Sequence, residues 1–156
     1  MTDILQWNIR GLRANFEELR LLCNQYKHQI IAVQECQLRK DKIINLTGFS
    51  GLTKSSPGDN ATGGVTLYIN NSVLFSEIKL DIDLQAVAVR VSANKTLTVC
   101  NIYIPSSLDV SFSDLEHLIQ QLPAPFVLVG DLNAHSPLWG DVRQDSRGQM
   151  VEQNIK

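Results

Sequence analysis

Cysteine is scarce. Cys23, Cys36 and Cys100 are odd in number and widely spaced, which fits neither a disulfide framework nor a zinc-ligand cluster, so each reads as a small buried apolar residue. No apolar run is long enough to span a bilayer. The N-terminus, MTDILQW, enters a strand-like pattern without a basic segment or an apolar signal core, which points to an intracellular protein. On that reading the four N-x-S/T sequons at Asn45, Asn60, Asn70 and Asn94 are turn residues. A basic excess is also missing. The formal net charge of -2 argues against a protein whose whole surface grips nucleic acid. It leaves room for a local groove, because a bound cation can itself bring positive charge to a phosphate. Repeats, low-complexity tracts and linkers are absent, and 156 residues suit one unit with a sizeable core, so residues 1–156 are read as a single domain.

What is present centres on Pro125 to Ser136, PFVLVGDLNAHS. Phe126, Val127, Leu128 and Val129 form the short apolar run of a strand buried on both faces, and Gly130 permits a sharp turn. Asp131, Asn133 and His135 follow at alternate positions, which project to one side if the backbone stays extended. The plainer reading is an Asx turn between Asp131 and Asn133.

Taken in order, Asp3 to Ile9 is strand-like, Asn15 stands where an N-cap belongs, and Leu19, Leu22, Cys23 and Tyr26 predict a helix over residues 16–27. Ile30 to Val33 is a second buried strand, so strand, helix and strand form a parallel crossover with functional groups at the C-terminal strand ends. Residues 38–60 read as a weakly patterned region and a long Gly/Ser-rich loop. Gly64 to Ile69, Val73 to Leu80, Leu84 to Val91 and Leu97 to Ile104 then read as four strands of an antiparallel meander. Ser111 or Ser113 caps a helix carrying Leu115, Leu118, Ile119 and Leu122. Arg147 to Lys156 looks like the beginning of a helix without a capping residue or terminator. The expected fold is α/β: two sheets packed face to face and flanked by helices in four α/β/β/α layers. In that fold the strand at Phe126 to Val129 needs partners, which nothing after Ser136 supplies.

Polar residues just past the apolar runs make a short list: Asn8, Glu35, Tyr103, Asp131 and Asn133. Magnesium takes one or two protein carboxylates and fills its remaining positions with water and phosphate oxygens, and Glu35 at a strand end suits that. Asn8 is placed to orient a water or a phosphate oxygen. Asp131 suits a general base, Asn133 a group that positions the attacking water, and Tyr103 a donor to the phosphate. Singly, each has an ordinary explanation as a turn, solvated or core residue. The joint placement carries the argument.

QWNIRGL at 6–12, AVQE at 32–35, GGVTLYI at 63–69, NIYIP at 101–105 and GDLNAHS at 130–136 together resemble the endonuclease/exonuclease/phosphatase fold family. NAHSPLWG at 133–140, followed by Asp145-Ser146-Arg147-Gly148, most resembles the endonuclease domain of non-LTR, LINE-type retrotransposons. The resemblance implies Asn8 and Glu35 at a magnesium or manganese ion, Tyr103 near the phosphate, and Asp131 with Asn133 at the attacking water. Arg10 and Arg13 are candidates for contacts to DNA phosphates, with exposed salt bridging as the other reading. His135 and Trp139 match the retrotransposon pattern and are expected in structural roles. The family's further strands, acidic motif and final Ser-Asp-His-like motif have no counterpart here, and His28 and His117 do not substitute for them. The chain is therefore expected to be the N-terminal part of such a domain, truncated at its C-terminus.

The implied function is metal-dependent nicking of target DNA for retrotransposition, acting in the nucleus, with a reverse transcriptase domain in the parent polyprotein. Two alternatives stay open. One is a phosphomonoesterase of the inositol-phosphate type on the same fold, and the other a catalytically dead fragment acting at most as a binding module. Oligomeric state has no signature in the sequence.

Overall fold

Among the described residues, Ile30–Gln34 (β2) is the one strand in which every residue is buried, because both of its faces are covered. In this computed structural model, which describes residues 2–40, 42–58 and 61–155, Ile30 and Ala32 face the opposite sheet while Ile31 and Val33 face a helix. Asp59 and Asn60 of the expected loop, and Lys156 of the expected last helix, lie outside the described residues.

The first sheet holds Ile4–Asn8 (β1), β2, Phe49–Lys54 (β3) and Val65–Asn70 (β4) in the order β1-β2-β4-β3. The second holds Leu74–Ile78 (β5), Gln85–Ser92 (β6), Thr96–Tyr103 (β7) and Phe126–Asp131 (β8) in sequence order. Each sheet is antiparallel except at one edge. There β1 runs parallel to β2 with Asn8 opposite Gln34, and β8 runs parallel to β7 with Asp131 opposite Tyr103. The inner faces meet through Ile30, Ala32, Leu67 and Ile69 on one side and Val89, Val91 and Val99 on the other. Phe16–Gln25 (α1) covers the first sheet by packing Leu19 against Ile31, Val33 and Tyr68. Phe112–Gln120 (α2) and Ser146–Ile155 (α3) cover the second through Leu115, Leu118, Met150 and Val151. The result is the expected α/β/β/α sandwich.

Several local expectations change. The four-strand meander is broken after β4: the turn at Asn70-Asn71-Ser72 hands the chain from one sheet to the other, so only β5, β6 and β7 form a meander. Phe49–Lys54, read as loop, is a strand. Gly51 within it lies under the Tyr68 ring, where an added Cβ would stand 3.1 Å from Cε1. β8 is an edge strand with Phe126 exposed, not one buried throughout, and its partner is the upstream β7. Asn15 occupies the position before α1, but its amide donates backwards to the carbonyls of Ile9 (2.8 Å) and Gly11 (3.3 Å) and caps nothing. Ser111, not Ser113, caps α2, in a reciprocal pair with Asp114. α3 does have a cap: Asp145 Oδ1 accepts from the Gly148 N–H at 2.6 Å. The connection into β8 is gripped by Arg90, whose guanidinium donates to the carbonyls of Pro123, Ala124 and Pro125 at 2.8 to 3.0 Å.

Candidate active site

The parallel pairs of the two sheets end side by side, and this brings the listed polar residues together. Asn8 closes β1, Glu35 follows β2, Tyr103 closes β7 and Asp131 closes β8. The Asn8 amide lies between the carboxylates, donating to Glu35 Oε2 at 2.5 Å and to Asp131 Oδ2 at 2.8 Å. One side chain thus spans both sheets. Its carbonyl oxygen, Asn8 Oδ1, is buried without a hydrogen-bond partner among the described residues. An unpaired buried acceptor calls for a donor or a cation. The two carboxylates meet this amide through its nitrogen, and Glu35, Asp131 and Asn8 Oδ1 together are oxygen donors of the kind a hard divalent cation takes. Among the described residues no three His, Cys, Asp or Glu side chains cluster as a metal site, so the amide oxygen is needed to complete a third protein donor.

Backbone conformation at these strand ends is unusual. Arg10 (φ 47°), Glu35 (φ 49°), Gln37 (φ 55°) and Asn133 (φ 48°) are left-handed without being glycine. Such a residue costs roughly 1–2 kcal/mol and persists only where its surroundings hold it. Glu35 is held by its carbonyl, which accepts from the Gly11 N–H at 2.8 Å, and Gln37 by donating to the Gly63 carbonyl at 2.8 Å.

Asn133 departs from the expected alternation, since its left-handed turn ends the extended run after Asp131. Its N–H donates to Asp131 Oδ1 at 3.0 Å, the Asx turn of the plainer reading, while Asp131 Oδ2 remains on Asn8. The two readings of Asp131 therefore coexist, one on each oxygen. The Asn133 amide donates to the Ile104 carbonyl at 2.8 Å, tying the segment after β8 to the one after β7. His135 is engaged away from these carboxylates: its Nδ1 meets Asp145 Oδ2 at 2.7 Å. The Trp139 indole N–H donates to the Ala134 carbonyl at 3.1 Å.

Tyr103 is 9% exposed, and its hydroxyl is held above the usual phenol range by burial first, then by the charges of Glu35 and Asp131, with Arg10 opposing. It is therefore a protonated hydrogen-bond donor at neutral pH. Arg10 and Arg13 are exposed on the turn after β1 that Asn15 pins. Cavities flank the site. One of about 970 Å³ opens along Glu35 and Tyr103, and one of about 830 Å³ along Asp131, Asn133, His135 and Trp139.

Sequence reasoning missed the support beneath the site. Gln34 and Asn101 are fully buried, and Gln34 Nε2 donates to Asn101 Oδ1 at 2.7 Å across the sandwich. The Asn101 amide donates to the carbonyls of Val33 (3.0 Å) and Thr66 (2.9 Å). Gln6 Nε2 donates to Gln34 Oε1 at 2.6 Å. The available signal was an amide inside each of two otherwise apolar runs, IIAVQ and TVCNIYI.

The chain is 28% identical over 153 residues to the RNA-directed DNA polymerase from mobile element jockey of Drosophila melanogaster, covering 96% of this chain and 17% of that protein. It is 25% identical over 152 residues to the probable RNA-directed DNA polymerase from transposon X-element of the same fly, covering 93% and 16%. The chain thus spans about a sixth of the length of these curated relatives. Among solved structures, the endonuclease domain of TRAS1, a telomere-specific non-LTR retrotransposon, matches with a TM-score of 0.77 at 19% identity, over 99% of this chain and 69% of that one. An AP endonuclease from Archaeoglobus fulgidus matches with a TM-score of 0.71 at 17% identity, over 99% and 70%. These structural likenesses show the fold. The family model that matches residues 5–151 is that of the Endonuclease/Exonuclease/phosphatase family, and the chain belongs to it, with relatives among retrotransposon proteins.

Proposed function

We propose that this chain is the N-terminal part of a divalent-metal-dependent DNA endonuclease of a non-LTR retrotransposon, which nicks target DNA within a parent polyprotein that also carries a reverse transcriptase. The observation that carries the reading is the Asn8 amide, bonded to a carboxylate from each sheet and left with an unpaired buried oxygen. Family membership and the retrotransposon relatives support the same substrate. The matching TRAS1 structure is an endonuclease domain, of which this chain covers 69%, and its likeness supports the same reading. The remaining contacts to the scissile phosphate come from the further part of such a domain.

Glu35 and Asn8 Oδ1 would hold magnesium, or manganese, to which the same oxygen donors are suited. When bound, the cation supplies positive charge and Lewis acidity at the scissile phosphate. Asp131 takes the proton of the attacking water, its carboxylate oriented by Asn8 on one oxygen and by Asn133 on the other. Asn133 also offers its side-chain Oδ1 for positioning that water. The Tyr103 hydroxyl donates to a phosphate oxygen, and Arg10 and Arg13 take neighbouring DNA phosphates. Water adds to phosphorus, the bond to the 3′ oxygen breaks, the departing 3′ oxygen takes a proton from solvent, and the products are a 5′ phosphate and a 3′ hydroxyl able to prime synthesis.

Nicking of supercoiled plasmid in magnesium tests this, using the chain and a version extended through its downstream coding sequence. The expected result is chelator-sensitive conversion to open circles, reduced about 10²- to 10⁴-fold by Asp131→Ala, the range typical of a lost general base. If neither version nicks while magnesium still binds, the reading gives way to a phosphomonoesterase or a binding module.

A further inference from the structure

The segment Asp145-Ser146-Arg147-Gly148 has no part in the chemistry above, yet three of its four residues dock on the stretch that follows Asp131. Asp145 Oδ1 accepts from the His135 N–H at 3.1 Å as well as from the Gly148 N–H. Gly148 packs so closely that an added Cβ would stand 1.9 Å from the His135 carbonyl oxygen. The Arg147 guanidinium donates through Nη1 to the carbonyls of Leu132 at 3.1 Å and Asn133 at 3.5 Å, and through Nη2 to those of Ser106 at 3.4 Å and Leu108. One planar cation therefore joins the segment after β8 to the segment after β7. Its carbonyl partners flank Asn133, whose left-handed backbone needs holding and whose N–H orients Asp131.

We infer that Arg147 is a positioning residue for the Asp131 carboxylate, acting through Asn133; the inference rests on the reading of Asp131 as the base. Its fork geometry is the reason for arginine. Lysine keeps the charge but is a point donor that cannot meet carbonyls on two segments in one plane. The outer cap residue Asp145 and the glycine at 148 fix the first turn of α3 so that the guanidinium arrives between the two segments. The motif is a brace built from the start of a helix.

The test is Arg147→Lys, with Arg143→Lys, whose side chain is 72% exposed, as control. Amide hydrogen exchange, read by NMR, requires no activity. Arg147→Lys is expected to speed exchange at the Asn133 N–H by about tenfold or more while the N–H groups of β6 and β7 keep their protection. Arg147→Ala is expected to do the same, with methylguanidinium restoring protection. Unchanged exchange at Asn133, or acceleration spread evenly through β7, β8 and α3, overturns the inference, the latter because Arg147 would then be a general stabiliser. Where the wild type nicks, Arg147→Lys is expected to lower kcat about 10- to 100-fold with KM for plasmid unchanged, since a misplacement of about 1 Å can cost about 10² in rate. Equal kcat in the two proteins overturns it as well. If neither the wild type nor its extended version nicks, the nuclease reading falls, and the exchange result alone decides the role of Arg147.

Discussion

Gly130 sits one residue before Asp131 with φ 139° and no room for a side chain: an added Cβ would stand 1.9 Å from the Ile102 carbonyl oxygen. The sequence suggests a turn at this glycine, but Gly130 remains within β8, paired with Ile102, and the requirement is close approach to β7. Gly130→Ala must push β8 away from β7 and take Asp131 with it. The expected loss of stability exceeds about 2 kcal/mol, as for other substitutions that force a strained backbone against a neighbour. A urea melt measures it, and a midpoint equal to that of the wild type would show that the strands can part without cost. Residues at this scale were legible where an apolar run stopped at a polar group, as at Asn8, Glu35 and Asp131. The Asx turn of Asn133 on Asp131 was legible too, but the bond of its side-chain amide was not, because its acceptor, the Ile104 carbonyl, lies 29 residues away in the chain.

The α3 element depends on a carboxylate that does two jobs. Asp145 caps the helix and pairs with His135, and its carboxyl is held down at about 2, chiefly by the His135 bond and then by the Gly148 N–H. An unfolded Asp titrates near about 3.9. The depressed value means that the native state favours the charged form, so the contribution to stability is fully present above about 3.9 and fades as pH falls through about 2. Asp145→Asn is therefore expected to be less stable than the wild type at pH 6, with the difference shrinking steadily below pH 4. Chemical melts of both proteins across that range check the sign, and a difference independent of pH would remove the charge from the account. Elements were readable in proportion to their periodicity. β2, β6, α1 and α2 showed themselves, whereas β3 was hidden because Gly51 and Ser50 make a strand look like a loop when the reason for the glycine, the Tyr68 ring, belongs to another strand. The passage from β4 to β5 carries an ordinary turn signal, and only packing decides whether such a turn stays in one sheet or changes to the other.

At the scale of the whole molecule, the site exists only because two sheets hold a fixed position relative to each other. Apolar faces such as Ile30 and Ala32 against Val89 and Val99 drive them together without specifying register. Directional bonds do that. Asn101 reaches from β7 to Gln34 on β2 and to two carbonyls of the first sheet, one residue before Glu35 on one side and two before Tyr103 on the other. Asn101→Leu leaves the Gln34 amide short of an acceptor in a dry interior, where an unmet polar group costs about 1–3 kcal/mol. Replacing both residues, in Gln34→Leu/Asn101→Leu, removes the unmet pair and should return part of that loss, giving a coupling of about 1–3 kcal/mol in a double-mutant cycle. The double variant should nevertheless bind magnesium more weakly than the wild type, because stability regained through apolar packing does not restore the register that brings Glu35 to Asp131. Calorimetric titration with magnesium, alongside urea melts of the four proteins, separates the two effects. If the double variant is as stable as the wild type and binds the cation equally well, apolar packing alone aligns the sheets and the buried amides are incidental to the site. Additive losses would mean that Gln34 and Asn101 act independently.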